Sequence, residues 1–310
     1  MENKFTAFGK VALLSDNFNI DNSQEILSVL KNKNIDANLI IIPKDIKHLI
    51  DSTIWHSITR VFLLLSKNNY LSLGYIQGLL DLLNISYTGN GMQVCALAND
   101  MVKVKKIWQI MGIATVHFIK LHTQINWQDV IDLLGFPIAV KSIYANVRST
   151  FKATNLEQLK DYCKNFGDIN EVMIEPWVTG DTYVVYIVGD QILLPICSEE
   201  SVTEEIKTQH YDRLDIKKIQ KVAKDACLAL GGIGQGGLAK INLIKDLNDD
   251  FWVESIDLMP LIVRNGLFNK AANNTGINFE LLIEKILITS FIKKDHYLKC
   301  NLFNKNFNKN

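Results

Sequence analysis

Charged side chains interrupt several of the apolar runs in this sequence. Lys141 ends the run 135–141, and Glu254 and Asp257 lie within the run 251–257. A lysine at the end of a strand that enters a cleft can hold an anion, and carboxylates on a strand beside it can hold a cation. The alternative for each side chain is an ordinary surface charge on an edge strand.

The spacing of the two carboxylates restricts such a metal site. Successive side chains of a strand point to opposite faces, so Glu254 and Asp257, three residues apart, do not share a face of a regular strand. A β-bulge between them would bring both to one side. A shared site for these two residues therefore requires a bulge in the strand 251–257.

Alternating strand and helix patterns predict an α/β fold for the first part of the chain. Short apolar runs predict strands at 11–14, 37–42 and 60–65, and helical spacing of apolar residues predicts helices at 23–30, with Asn22 or Ser23 as N-cap, and at 72–83. Further along, β-branched runs bounded by glycine and proline predict strands at 171–178, 182–188 and 191–196, and a long amphipathic helix is expected at 214–230.

Composition excludes several classes of partner. The 310 residues carry 33 basic and 33 acidic side chains, so no global charge favours nucleic acid or an anionic membrane. No apolar stretch approaches the ~20 residues of a membrane span, and the N-terminus lacks the apolar run of a signal peptide. The five cysteines are scattered and odd in number, which is typical of reduced, buried or half-buried thiols. We therefore predict a cytoplasmic protein.

The segment 171–180, with the sequence E-V-M-I-E-P-W-V-T-G, resembles a motif of the D-alanine–D-alanine ligases, a family of ATP-grasp ligases. Apart from its proline, the segment fits the strand that connects the two ATP-grasp lobes in that family and holds adenine. The segments 84–91, 135–141 and 251–260 are similar to further family motifs in the right order. The resemblance runs from about residue 10 to about residue 295.

The resemblance implies an ATP-grasp fold. We expect an N-terminal Rossmann-like domain with a parallel sheet at 1–98, a central lobe at 99–188 and a C-terminal lobe at 189–300. The nucleotide cleft would lie between the two lobes. The Asn- and Lys-rich composition of 301–310 indicates a disordered tail.

The resemblance also assigns roles in nucleotide binding. Glu175 stands at the position that reads adenine, Lys141 at that of a phosphate-binding lysine and Thr182 at that of a ribose-binding glutamate. Arg148 lies in the loop that cradles the phosphates in the family. The predicted nucleotide-binding residues are Lys141, Arg148, Glu175, Pro176, Trp177, Val178 and Thr182.

Catalytic and metal positions are altered more strongly. Lys240 stands where the family has a catalytic arginine and keeps the charge without the bidentate fork. Asn242 stands at the position of a magnesium-binding aspartate. With Glu254 and Asp257 it completes the metal ligands that the resemblance implies.

Other departures affect the phosphate and substrate sites. The loop 142–150 contains no glycine, although the family's phosphate loop is glycine-rich. Met101 replaces a family lysine, and Lys105, one turn further along, is either a partial replacement or an exposed helix lysine. In the first substrate loop, Asp16 or Asp21 is either part of a solvated turn or a substrate-binding acid.

These features predict a D-alanine–D-alanine ligase-like protein with impaired chemistry. The family reaction joins two D-alanines through an acyl phosphate for peptidoglycan precursors, uses ATP and Mg²⁺, and is commonly carried out by a homodimer. Two alternatives are a catalytically silent homologue that binds or assembles with an active ligase, and an ATP-grasp ligase with a different substrate pair.

Overall fold

A computed structural model describes residues 8–43, 45–50, 53–66, 69, 71, 74–144, 150–198, 213–232 and 237–290. Arg148 and the tail 301–310 lie outside these residues, as does Cys300. Within the described part of the chain, no helix is both long and apolar enough to cross a bilayer.

The N-terminal domain is built on a parallel sheet, as predicted. Its strands run in the order β2-β1-β3-β4, and their bounds are β1 Val11–Ser15, β2 Ala37–Ile41, β3 Arg60–Leu64 and β4 Ser86–Tyr87. The helices of this domain are α1 Ile20–Asn32, α2 Ile46–Ile50, α3 Tyr75–Leu82 and α4 Met92–Ala98. Helix α1 begins earlier than expected: Asn19, not Asn22 or Ser23, precedes it, and its side chain makes no capping bond.

A second, antiparallel sheet, the central sheet, follows helix α5. Its elements are α5 Met101–Ile110, β5 Ile119–Lys120, α6 Trp127–Leu134, β6 Ile138–Ser142, β7 Thr150–Ala153, α7 Leu156–Lys164 and β8 Val172–Pro176, and its strand order is β5-β8-β6-β7. Asp100 caps α5 as predicted, because its side chain accepts a hydrogen bond from the Lys103 amide at 3.1 Å.

The third sheet, the C-terminal sheet, has the order β10-β9-β12-β13, with β11 paired to β9. Its elements are β9 Gly180–Val188, β10 Gln191–Ile192, β11 Ile196–Ser198, α8 Arg213–Leu228, β12 Leu238–Asp246, β13 Phe251–Asp257 and α9 Leu267–Asn274, followed by a helical segment at 279–290. The sequence grouped 182–188 with the central lobe, but β9 pairs with β10, β11 and β12, which are strands of the C-terminal sheet. The single strand expected at 191–196 is two strands, separated around Pro195, which has no amide hydrogen to donate.

The turn between β8 and β9 depends on Gly180. Gly180 lies opposite Asp246 of β12, and a Cβ on it would lie 1.9 Å from the carbonyl oxygen of Lys245. Only glycine allows this backbone approach. The chain therefore passes from the central sheet to the C-terminal sheet at a fixed point.

Strand β13 contains the bulge that the carboxylate spacing requires. Its pairing with β12 shifts register so that Asn242 faces Ser255 and Leu243 faces Val253, which leaves Glu254 without a partner in the ladder. Val253 and the Ile256 side chain are both buried in the core beneath α8. The bulge thus frees Glu254 to face the cleft instead of this core.

Helix α5 packs into the core of the C-terminal sheet, although the sequence places it in the central lobe. Met101, Val104 and Trp108 belong to the same core cluster as the buried side chains of β9, β12, β13 and α8. The Trp108 indole nitrogen donates a hydrogen bond to the Ala226 carbonyl at 2.9 Å. Side chains of α5 are therefore carried on the C-terminal side of the cleft.

The cysteines agree with the prediction of reduced, buried thiols. Cys95, Cys163, Cys197 and Cys227 are free and buried. Burial raises the pKa of Cys163 to about 11 and the pKa of Cys227 to about 12. These thiols pack as small apolar side chains.

Asp16 is neither solvated nor available to a substrate. Its side chain is 4% exposed and accepts hydrogen bonds from the Ser66 amide and hydroxyl, both at 2.7 Å, and from the Asn19 amide group at 2.8 Å. The carboxylate ties the loop after β1 to the loop after β3. The expectation of a solvated turn is wrong for this residue.

Replacing Asp16 by alanine should destabilise the N-terminal domain. The half-buried Ser66 amide would lose its acceptor, and an unsatisfied group of this kind costs about 1–3 kcal/mol when it is shielded from water. Urea unfolding should show this loss, whereas Asp21→Ala, on the exposed surface of α1, should change stability by less than about 0.5 kcal/mol. Equal stability of the two variants would contradict the structural role of Asp16.

Candidate active site

A cavity opens between the central and C-terminal sheets at the point where β8 passes into β9. Its walls include Ala139, Gly180 and Ile244. The structure brings six of the predicted nucleotide-binding residues to this one cavity, together with Glu254: Lys141, Glu175, Pro176, Trp177, Val178 and Thr182. Because Arg148 lies outside the described residues, its role stays a prediction.

Four charged side chains form a continuous row, and three of them, Lys141, Glu175 and Glu254, line the cavity. Lys105 lies 3.1 Å from one carboxylate oxygen of Glu175, and Lys141 lies 3.3 Å from the other. On its other side, Lys141 lies 3.0 Å from Glu254. We call these four residues the charge row; it holds two positive and two negative charges.

Lys105 is the member of the charge row that sequence reasoning undervalued. Its side chain is fully buried and donates a hydrogen bond to the Thr115 hydroxyl at 2.9 Å, which in turn donates to the Val253 carbonyl at 2.8 Å. Lys105 shares a helix face with Met101 and Trp108, at spacings of four and three residues, and both neighbours are buried. This periodicity was the available signal, and the expectation of an exposed helix lysine is wrong.

The ionisation of the charge row reflects burial opposed by mutual attraction. Burial dominates at Lys105 and lowers its pKa, although Glu175 opposes the shift. Burial alone would lower the pKa of Lys141, but Glu175 and Glu254 together outweigh it and raise that pKa. Burial would likewise raise the pKa of Glu254, but Lys141 and more distant lysines outweigh it and lower that pKa. Glu254 is therefore ionised at neutral pH.

Met101, at the position of a family lysine, is part of the core. Its side chain is 5% exposed, and its amide donates to the Ile143 carbonyl at 2.8 Å. Ile143, directly after β6, packs in the same cluster. The segment that leaves β6 is thus fixed to the start of α5 before it enters the undescribed residues 145–149.

The aromatic wall of the cavity has an unused donor. Trp177 is half-buried, and the ammonium of Lys152 lies 4.6 Å from the centre of its ring. Within the described residues, its buried indole nitrogen has no hydrogen-bond partner. The exposed part of the Trp177 ring therefore offers the cavity a flat aromatic surface, which suits stacking of another ring.

Apart from Glu254, the predicted catalytic and metal residues do not line this cavity. Lys240, Asn242 and Asp257 lie on neighbouring positions of β12 and β13. Lys240 is directly opposite Asp257, and Asn242 is directly opposite Ser255. The Asn242 amide nitrogen donates to the Ser255 hydroxyl at 2.8 Å. Of the three predicted metal ligands, the bulge places Glu254 with Lys141, Asn242 with Ser255, and Asp257 opposite Lys240.

These donors do not fit a protein cage for Mg²⁺. The cation prefers charged oxygen ligands in octahedral geometry, whereas Asn242 offers only a neutral amide oxygen and Glu254 is paired with the ammonium group of Lys141. Within the described residues, no group of three or more His, Cys, Asp or Glu side chains is arranged to hold a metal ion. We derive no catalytic step through Mg²⁺.

A parallel-sheet domain followed by two antiparallel sheets that enclose a cavity at their connecting strand is the architecture of the ATP-grasp class. A family model described as the D-ala D-ala ligase C-terminus matches residues 107–288. The chain belongs to the D-alanine–D-alanine ligase family.

Individual relatives agree with this assignment. The chain is 29% identical over 300 residues to a D-alanine–D-alanine ligase of Psychrobacter sp., across 90% of this chain and 89% of the relative. Among solved structures, it resembles the Bacillus anthracis D-alanine–D-alanine ligase complexed with ATP at a TM-score of 0.82, with 20% identity over 93% of this chain and 99% of that one. The Coxiella burnetii D-alanine–D-alanine ligase gives a TM-score of 0.76, with 17% identity over 97% and 100% of the two chains. These structural likenesses support the fold.

Proposed function

We propose that this chain binds ATP in the cavity between the sheets and joins two D-alanines slowly through an acyl phosphate. The observation that carries the proposal is that Glu175, Trp177 and Lys141 line the same hinge cavity. Glu175 and Trp177 would bind adenine, and Lys141 would bind the phosphates beside it. The carboxylate of one D-alanine would take the γ-phosphate, and the amine of the second would then displace it.

The residues at the hinge suit the base of the nucleotide. The Glu175 carboxylate can accept a hydrogen bond from an exocyclic amine, and the backbone of Pro176 to Val178 forms the adjacent edge. Pro176 lacks an amide hydrogen but retains its carbonyl as an acceptor. Thr182, which also lines the cavity, offers a hydroxyl towards the sugar in place of a carboxylate.

The charged groups beyond the base would act on the phosphates. Lys141 lies where the phosphates leave the base, and Lys240 lies further along the same face of β12 as Ile244, which lines the cavity. An ammonium group stabilises developing negative charge, but it lacks the planar pair of donors of a guanidinium. Lys240 is thus the proposed catalytic residue, with a reduced effect.

The proposed slow ligation follows from the neutral side chains of Asn242 on β12 and Ser255 on β13. Asn242 and Ser255 supply no charge to neutralise a transferring phosphate. Removing one group that stabilises transition-state charge costs about 10²–10³ in kcat. We therefore expect turnover at least about 100-fold below that of the Psychrobacter relative under the same conditions.

D-alanine-dependent ADP formation tests the proposal. The purified protein should release ADP when ATP and D-alanine are present, and L-alanine should not replace D-alanine. Lys240→Met should remove the activity, whereas Lys221→Met, which loses a surface ion pair with Asp225 on α8, should leave it unchanged. If ADP formation never exceeds that of Lys240→Met, the proposal is overturned in favour of a catalytically silent homologue.

A further inference from the structure

Lys141 is already occupied by carboxylates in this structure. It lies 3.0 Å from Glu254 and 3.3 Å from Glu175, and its side chain is only 14% exposed. A phosphate that approached Lys141 would meet an ammonium group whose charge is balanced on two sides. Glu175 also contacts Lys105, so Glu254 is the carboxylate whose described ion pairing is with Lys141 alone.

The bulge in β13 is what brings Glu254 to this place. In a regular ladder, the residue after Val253 would face a partner on β12, but the register passes from Val253 directly to Ser255. Glu254 is thereby displaced into the cavity wall beside Lys141 and Ile244. The backbone of the bulge thus sets the position of Glu254 in its contact with Lys141.

We infer that Glu254 is a specificity-determining residue that competes with nucleotide phosphates for Lys141, so that the cavity distinguishes only weakly between ATP and adenosine. The inference rests on the proposed nucleotide site. The charge row sums to zero, and a polyphosphate therefore finds no net positive charge there. Replacing Glu254 by a neutral side chain would leave two ammonium groups and one carboxylate, a net charge of +1.

Other charges around the row support this reading. Lys240 lies close enough to Glu254 to contribute to its lowered pKa. The direct contact of Glu254 is with Lys141 at 3.0 Å, and it is this contact that another anion would have to replace. A phosphate must displace Glu254 from Lys141 before it can bind there.

Binding measurements without D-alanine test the inference separately from the ligase proposal. Isothermal titration would compare adenosine with a non-hydrolysable ATP analogue, each with and without Mg²⁺, on the wild type and on Glu254→Gln. We expect the variant to bind the analogue at least about tenfold more tightly and to bind adenosine unchanged. Tenfold corresponds to about 1.4 kcal/mol.

Two further variants control this experiment. Glu284 has the same side-chain exposure as Glu254, 25%, but it pairs with Lys33 at 2.7 Å and does not line the cavity. Glu284→Gln should therefore bind both ligands like the wild type. Glu254→Asp keeps the charge on a shorter side chain and should stay closer to the wild type than Glu254→Gln. Thermal unfolding of each variant confirms that it is folded, which we expect because Lys141 keeps Glu175 as a partner.

Each outcome of the titrations either supports or overturns the competition between Glu254 and phosphate for Lys141. Tighter binding of the analogue by Glu254→Gln, with adenosine unchanged, supports the competition, even where the wild type binds neither ligand measurably. Equal affinity for the analogue overturns it, as does an absence of binding in both proteins. Weaker, Mg²⁺-dependent binding by the variant also overturns it and makes Glu254 a metal ligand. A failed D-alanine assay leaves these binding results intact.

Discussion

Replacing Lys105 by methionine should destabilise the protein by about 3 kcal/mol, because it leaves a buried carboxylate short of one cation. The Glu175 side chain is 2% exposed, and Lys105 is one of the two ammonium groups that compensate its charge. The buried Thr115 hydroxyl would lose a donor in the same variant. Urea unfolding, followed by the fluorescence of the buried Trp108 in the same helix, measures the loss.

Lys103→Met is the matched control for this variant. Lys103 lies on the same helix, is 68% exposed and pairs with Asp100 at 3.0 Å on the surface. A surface pair contributes less than about 1 kcal/mol, so its loss should be small. The double variant Lys105→Met with Glu175→Met should recover stability relative to Lys105→Met, since an apolar pair often replaces a buried ion pair without cost. Equal effects of Lys105→Met and Lys103→Met would contradict the burial of this charge.

Introducing carboxylates at Asn242 and Ser255 should create a divalent-cation site. The two residues lie directly opposite each other on adjacent strands, and their side chains already touch. Without a cation, Asn242→Asp with Ser255→Glu should be destabilised by up to about 4 kcal/mol, the repulsion of two charges ~4 Å apart at an effective dielectric of ~20. Asp257 follows Ser255 by two residues on β13 and could supply a third oxygen ligand.

Added Mg²⁺ should restore the stability of this double variant and leave the wild type unchanged. Binding to the folded state alone stabilises by about 1.4 kcal/mol when the cation is at roughly ten times its dissociation constant. The thermal midpoint with and without millimolar Mg²⁺ measures this, with Asn242→Asp alone as the control that lacks the second new carboxylate. No response of the double variant to Mg²⁺ would mean that the positions are too far apart to share an ion.

The fold was accessible from the sequence where local patterns agree with the tertiary arrangement. The parallel N-terminal sheet, the hinge strand 172–176 and the Asp100 cap depend on short-range signals such as alternation, turn residues and capping chemistry. The residues that line the hinge cavity were predicted from the resemblance of the segments 135–141 and 171–180 to family motifs, and the structure brings these two segments together on adjacent strands.

The missed features depend on partners distant in the sequence. Lysine is almost never fully buried unless paired, and the partner of Lys105 is Glu175, which no pattern within α5 reveals. Asp16 is held in place by Ser66, which lies in the loop after the neighbouring strand β3. The contact between Asn242 and Ser255 depends on the register around the bulge, which no spacing rule within β13 fixes.

The two middle members of the charge row stand on one side of the cleft and its two end members on the other. Glu175 and Lys141 stand on the central sheet, whereas Lys105 and Glu254 are carried by the core of the C-terminal sheet. The Lys105–Glu175 pair and the Lys141–Glu254 pair therefore both connect the two sides of the cleft. A ligand anion that takes the place of Glu254 at Lys141 would remove one of these two connections. Anion binding would thereby weaken the link between the two sheets through a single carboxylate.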